Sequence, residues 1–230
     1  MIGPLAALHV DWAGSAKSTP PYALYFFKGR QYIRWDVDRE CLFDGYPAEI
    51  ASGWPGLLDF FPGSALSGAI HVPAWRNRIY FFFRGQDLAI GWDVAAHRVD
   101  SDPVPVSVLL PTPLTRIGHF APVYVDRGDS QTVYVFRGDE YSRFTIAGEE
   151  PPSREDAGYP RKIGDGWTGG LSVAPTCGVS LRWPNRSTAL SNHKLYFFLG
   201  DLYTRWDITT HSNNYRLDIP SGWRGWPDFE

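Results

Sequence analysis

Aromatic and β-branched residues fall in short alternating runs along this chain, and the runs recur. Leu24–Asp36 reads LYFFKGRQYIRWD, Ile79–Asp93 reads IYFFFRGQDLAIGWD, Val133–Thr145 reads VYVFRGDEYSRFT and Leu195–Asp207 reads LYFFLGDLYTRWD. Each is an apolar run, a glycine-bearing turn and a second run of period two. In the first copy Tyr32, Arg34 and Asp36 fall on one face, and Ile33 and Trp35 on the other. That pattern predicts a β-hairpin, the glycine supplying the positive φ that a tight turn requires. Copy two carries one extra residue after its glycine, which reads as a β-bulge. Copy three ends in Phe144-Thr145 instead of Trp-Asp.

The central glycines Gly29, Gly85, Gly138 and Gly200 are 56, 53 and 62 residues apart, so four units fill the 230 residues. Spacing of this kind is the signature of a repeat architecture. Each unit opens on a further short strand candidate: Leu5–Trp12, Leu66–Val72, Thr115–Phe120 and Pro175–Leu181. Unit one closes on Gly45-Tyr46-Pro47, Ile50 and Gly53-Trp54-Pro55-Gly56. Unit three closes on Gly158-Tyr159-Pro160, Ile163 and Gly166-Trp167, and unit four on Gly222-Trp223 and Trp226. Asp44–Tyr46 reads as a short strand or turn, and Pro47–Ser52 as one helical turn with Pro47 near its first position. Unit two has lost these signals; Pro103 and Pro105 suggest an edge or an irregular connection there. About four strands per unit, repeated radially, predict an all-β chain. It would form one four-bladed β-propeller with antiparallel blades and short helical turns between them, spanning 1–230, with blades at about 1–63, 64–112, 113–169 and 170–230.

Composition narrows the function. The net charge of −3, without a basic block, gives no support for a nucleic-acid partner. The apolar runs are too short for a membrane-crossing helix, so no membrane partner is expected. The start, MIGPLAALHVDW, has neither a positive n-region nor a long apolar h-region, so a cytoplasmic location is expected. Cys41 and Cys177 are too few for a disulfide framework and read as free thiols.

Tyr25-Phe26-Phe27-Lys28-Gly29, Arg34-Trp35-Asp36, Gly45-Tyr46-Pro47, Ile50 and Trp54-Pro55-Gly56 resemble the hemopexin-like repeat, and the resemblance covers all four units. Similar domains occur in serum hemopexin, at the C-terminus of matrix metalloproteinases, in vitronectin and as free-standing seed albumins; the last fit this length best. The resemblance implies a central tunnel lined by the first strand of each blade, where backbone carbonyls bind a cation. The matching positions are Ala7, Ala69, Gly118 and Gly178, and oxygen-only ligation would suit Ca²⁺ or Na⁺. Two features depart from the family. Its usual Asp-Ala-Ala on the inner strand is replaced by Ala7-Leu8-His9, Ala69-Ile70-His71, Ile117-Gly118-His119 and Gly178-Val179-Ser180. Cys41 and Cys177 are not where extracellular members link their first and last blades, so closure is expected from packing of the Trp223–Trp226 segment.

His9, His71 and His119 therefore occupy one inner-strand register, with Ser180 in fourth place. Facing the tunnel, they would form a ring able to hold a metal, haem iron or a small anion. Facing the seams between blades, they would be hydrogen-bonded repeat residues. His97, His193 and His211 read as solvated loop or turn residues, and Asp36 and Asp207 as turn caps. No nucleophile elbow, phosphate loop or zinc-protease motif is present. Three functions remain open. The first is a non-enzymatic binding protein for a small molecule such as haem or a polyamine, held at the tunnel mouth. The second is an interaction module that docks a protein or forms a homodimer through Trp223, Trp226 and Val104–Leu110. The third is an enzyme of secondary metabolism shaping a substrate for cyclisation. The fold alone selects none of them.

Overall fold

The computed structural model describes residues 3–12, 22–100, 102–115, 119–183 and 192–228. The four hairpins form as their alternation requires, and each carries an inner strand on one side and short outer strands on the other. Blade one orders Ala6–Asp11, Tyr22–Lys28, Gln31–Asp36 and Cys41–Leu42, with Ala48–Glu49 also on its third strand. Blade two is built from Leu66–Val72, Arg78–Phe83 and Leu88–Asp93, flanked by Arg98–Val99 and Val104–Pro105. Blade three runs Ala121–Asp126, Gln131–Arg137, Glu140–Ile146 and Arg161–Lys162, and blade four Cys177–Arg182, His193–Leu199, Leu202–Asp207 and Ser212–Asp218. Every pairing is antiparallel, and the inner strands meet around a central axis.

Because strand side chains alternate, each blade has two apolar faces and gives one to each neighbour. Leu8, Val10, Tyr25 and Phe27 of blade one pack on Phe81 and Trp92 of blade two. Leu24, Phe26, Ile33 and Trp35 turn the other way, onto Val179, Tyr196 and Phe198 of blade four. Two further seams join blades two and three, and three and four. Closure works as the sequence predicts. Trp223 lies edge-on to Phe26 and Trp35, at 5.2 Å from each, and Trp226 is 4.9 Å from Phe26. Cys41 and Cys177 are free thiols.

The Gly-Trp pairs have a packing cause. Each ends a one-turn helix: Ile50–Gly53, Ile163–Gly166 and Ile219–Gly222. The tryptophan enters a seam; Trp167 touches Phe136, Phe197 and Trp206 at 5.2–5.3 Å. The glycine lies under the tyrosine of the third strand. A Cβ on Gly53, Gly166 or Gly222 would stand 2.0, 2.1 or 1.8 Å from the hydroxyl of Tyr32, Tyr141 or Tyr203. Gly166→Ala is therefore expected to lose about 1–3 kcal/mol by overpacking, because the Tyr141 ring is already held against Phe136 and Trp167. Gly164, with open space at its Cβ position, is the control. Denaturant midpoints of the two alanine variants check this; equal midpoints would refute it.

Four details differ from the sequence reading. The inner strand of blade three is Ala121–Asp126, not Thr115–Phe120. Six ladder pairs with Gln131–Phe136 set it, and Ala121, Val123 and Val125 supply the apolar face toward blade four. The irregularity in blade two is a register shift on the inner strand between Leu66 and Gly68, not after Gly85. The helical turn of unit one starts at Ile50, and unit two keeps such a turn, Val106–Leu109, without the sequence signal. Finally, Val104–Leu110 is not an exposed apolar patch: Val106, Leu109 and Leu110 are buried and Val108 is exposed, while Trp223 and Trp226 are buried in their seam. The aspartate caps form as expected. Asp36 Oδ1 accepts from the backbone of Asp38 and Arg39, and Asp207 Oδ1 from Thr209 and Thr210.

Candidate functional site

The pairing register decides which inner-strand residues share a level. His9 pairs with Leu24, His71 with Ile79, Tyr124 with Val133 and Ser180 with Leu195. Those four partners pair in turn with Trp35, Trp92, Phe144 and Trp206. The ring is thus His9, His71, Tyr124 and Ser180, with Tyr124 where His119 was expected. Ala7, Ala69, Pro122 and Gly178 stand two residues earlier; the expected Gly118 lies outside the described residues. Gly178 is needed for close approach: a Cβ there would be 2.8 Å from Val123 Cγ2 and 2.9 Å from Phe197.

His119 precedes the strand and sits at the opposite end of the inner strands. Its ring lies by Arg84 and the backbone of Thr176, Pro175 and Ser67, and burial lowers its pKa. The three histidines therefore do not form the expected ring. Among the described residues, no three His, Cys, Asp or Glu side chains are grouped to hold a metal ion.

What the strands do build is a cavity of about 250 Å³ at the tunnel mouth, with His9, His71, Tyr124 and Ser180 in its wall. Ala7, Ala69 and Gly178 line it too, and Asp126, Arg182 and His193 complete the polar lining. In the sequence His193 reads as a solvated loop residue. Instead it opens the second strand of blade four, buried, opposite Arg182. Extending the Leu195 hairpin outward by two residues would have found it.

Hydrogen bonds fix most of these side chains. Ser180 Oγ and His193 Nε2 are 2.6 Å apart, and His71 Nε2 and Asn77 Oδ1 2.8 Å. Arg182 Nη2 donates to the Asp126 carbonyl at 2.8 Å, and Asp126 Oδ1 accepts from Gly128 N at 2.7 Å. Burial, helped by the Arg182 charge, pushes the His193 pKa down to about 4, so its imidazole is neutral at pH 7. Burial and then the Asp126 carboxylate push the Tyr124 phenol up, keeping it protonated. The mouth can thus offer hydroxyl, imidazole, guanidinium and carboxylate groups to a small molecule, with one formal positive and one formal negative side chain.

Residues 20–57, which hold the first hairpin and Gly45-Tyr46-Pro47, match the Hemopexin family model. The whole described chain also superposes on solved four-bladed propellers. A hemopexin fold protein, CP4 from cow pea, is 18% identical, with 97% of this chain and 96% of that one covered and a TM-score of 0.67. The chain has the hemopexin fold. A 2S albumin seed protein from Dolichos is 19% identical, with 96% of each chain covered and a TM-score of 0.67. A plant lectin from Cicer arietinum with two metal binding sites is 18% identical, with 96% and 95% covered and a TM-score of 0.66. The sequence matches no curated protein. Within the hemopexin fold the inner strands supply the scaffold, and the residues at their mouth ends give this chain its own chemistry.

Proposed function

We propose that the protein is a non-enzymatic binding protein whose tunnel mouth holds a small, neutral, polyhydroxylated ligand of monosaccharide size. The observation that carries this is the cavity of about 250 Å³, in which Asp126, Arg182, Tyr124, Ser180 and His71 converge. That volume lies below the roughly 300–1,000 Å³ of sites for drug-sized ligands. Paired donors and acceptors without excess charge suit the hydroxyls of a sugar better than an ion. A polyamine would seek several carboxylates, and here Asp126 shares the rim with Arg182. The histidine set on which a haem or metal ligand depended is split between the two ends of the inner strands. The cyclisation reading rests on positioning a substrate more than on acid or base groups, and the Ser180–His193 pair would add little to it, because an imidazole with a pKa of about 4 is a weak base near neutrality. The fold supports the same direction, since one Cicer arietinum protein of this shape is a lectin and another shows hemagglutination. A Ca²⁺ or Na⁺ ion on the carbonyls of Ala7, Ala69, Pro122 and Gly178 is compatible with the close packing around Gly178 and would sit beneath such a ligand.

The test is saturation-transfer NMR with D-glucose, D-galactose, D-mannose and N-acetyl-D-glucosamine. At least one sugar is expected to give a saturable signal that weakens in Arg182→Ala. Absence of saturable signal for all four, or indifference to Arg182→Ala, would overturn the reading.

A further inference from the structure

The outer edges of the four blades are not alike. In blades one to three the outermost strands are short pieces: Cys41–Leu42 and Ala48–Glu49, Arg98–Val99 and Val104–Pro105, and Arg161–Lys162. Pro47, Pro103 and Pro160 stand directly before three of these pieces. Short strands and prolines keep the open edge of a sheet from pairing with another chain. Blade four has neither protection. Its outermost strand, Ser212–Asp218, is seven residues long and holds no proline, and among the described residues no strand lies on its outer side. Arg216, Leu217 and Asp218 are exposed there, Leu217 by 40% although it is apolar. The ladder settles which backbone groups face out. The Ile219 N–H donates to the Asp201 carbonyl, and Leu217 pairs with Tyr203. Antiparallel bonds alternate, so Leu217 turns its N–H and C=O inward to Leu202–Asp207, while Arg216 and Asp218 turn theirs outward.

We propose that this edge pairs with the same edge of a second copy of the chain, antiparallel about a two-fold axis at Leu217. In that register Arg216 lies opposite Asp218 of the second copy, and Asp218 opposite its Arg216. Both residues face outward, so each such pair exchanges its two backbone hydrogen bonds. On one face of the joined sheet an arginine then meets an aspartate twice, a favourable cross-strand pair. On the other face the two exposed Leu217 side chains meet at a non-hydrogen-bonded position, where cross-strand side chains come closest. Charge complementarity selects both this occupant and this register. Centring on Tyr215 would set Arg216 against Asn214 and Asp218 against Ser212, leaving both charges unmatched. It would also bring in the bulge, where the register shift leaves Asn214 without an opposite residue on Leu202–Asp207. A two-fold contact uses the edge of each copy once, so association stops at two chains and the pair presents two tunnel mouths. The contact is short, and a weak, concentration-dependent dimer is what it would form.

Sedimentation velocity of the full chain, from micromolar to millimolar concentration, is expected to show a monomer–dimer equilibrium. Arg216→Asp sets like charges opposite each other and should weaken it about tenfold or more. Asp218→Arg should do the same. An equimolar mixture of the two variants restores both opposite-charge pairs, and it should associate where neither variant does alone. Asp218 also caps the turn Ile219–Gly222 through the Ser221 N–H. If Asp218→Arg does not fold, Arg216→Pro replaces it. That variant removes one outward N–H and no ladder bond to Leu202–Asp207, so it should stay folded and monomeric. Amide exchange followed by NMR reports the strand pairing itself: the Arg216 and Asp218 amides should slow as the dimer forms. A chain that stays monomeric throughout would overturn the proposal and leave the edge to an extended segment of a different protein. A dimer indifferent to Arg216→Asp and Arg216→Pro, folded variants that do not associate on mixing, or a dimer whose two amides keep the monomer's exchange rate would overturn it as well.

Discussion

Trp223→Ala is expected to remove about 3–5 kcal/mol of stability, the range for truncating a buried tryptophan. Trp223 is 3% exposed and stands edge-on to Phe26, Trp35 and Tyr196, with centroids 5.2, 5.2 and 5.3 Å away. It fills the seam in which the last blade meets the first. Cys41 and Cys177 are both free, so the apolar packing here has no disulfide to assist it. Against a typical total of about 5–15 kcal/mol, this loss would leave a small reserve. Val108→Ala, on a side chain that is 56% exposed, should shift stability by no more than about 0.5 kcal/mol. Urea unfolding followed by tryptophan fluorescence compares the two. A Trp223→Ala loss below about 1 kcal/mol would mean that the closing seam repacks easily.

Lowering the pH from 6.5 to about 4 is expected to withdraw at most about 3 kcal/mol through His193. In the fold, burial and then Arg182 hold this histidine neutral down to about pH 4, whereas in the unfolded chain it takes up a proton near pH 6.5. The unfolded state therefore binds the proton first. The stabilisation is fully present above pH 6.5 and is lost as the pH falls toward 4. His119 acts in the same direction, its pKa also lowered by burial. Asp207 contributes lower in the scale. Burial opposes its ionisation but is outweighed by Lys194 and the N–H groups of Thr210 and Thr209, which hold the carboxyl at about 2. Its share is present above the ordinary aspartate range and disappears as the pH falls toward 2. Urea midpoints measured in steps from pH 7.5 to 4.5 test the histidine part. The fall should flatten in His193→Gln. A flat wild-type profile, or an identical fall in the variant, would exclude His193 as the source.

The hairpins were legible because two signals agree in each: apolar alternation and a glycine at the turn. The seams were legible too, since Trp223 and Trp226 follow a Gly-Trp pattern that units one and three share. The ring at the tunnel mouth was legible in three of its four places. In unit three, Ile117-Gly118-His119 imitates the opening of the other units, while the true inner strand, Ala121–Asp126, contains Pro122. Proline argues against a strand in sequence, yet this strand lies at the inner edge of its sheet, where a missing N–H is tolerated. Only the ladder to Gln131–Phe136 fixes which residue faces where. His193 was missed because it precedes the aromatic run, and a histidine there resembles a loop residue until the strand is extended to meet Arg182. The helical turn Val106–Leu109 forms without Gly-Tyr-Pro or Gly-Trp, its Val106, Leu109 and Leu110 filling the seam between blades two and three.

The two-faced blades have a consequence for how the molecule can come apart. A linear array of repeats frays from its ends, because a terminal repeat has one neighbour to lose. Here Phe26 and Trp35 look one way and Tyr25 and Phe27 the other, and the same holds around the circle. Detaching any one blade exposes two apolar interfaces at once. Partial unfolding is thereby penalised at every position alike, and four short sheets that could not stand alone behave as a single cooperative unit.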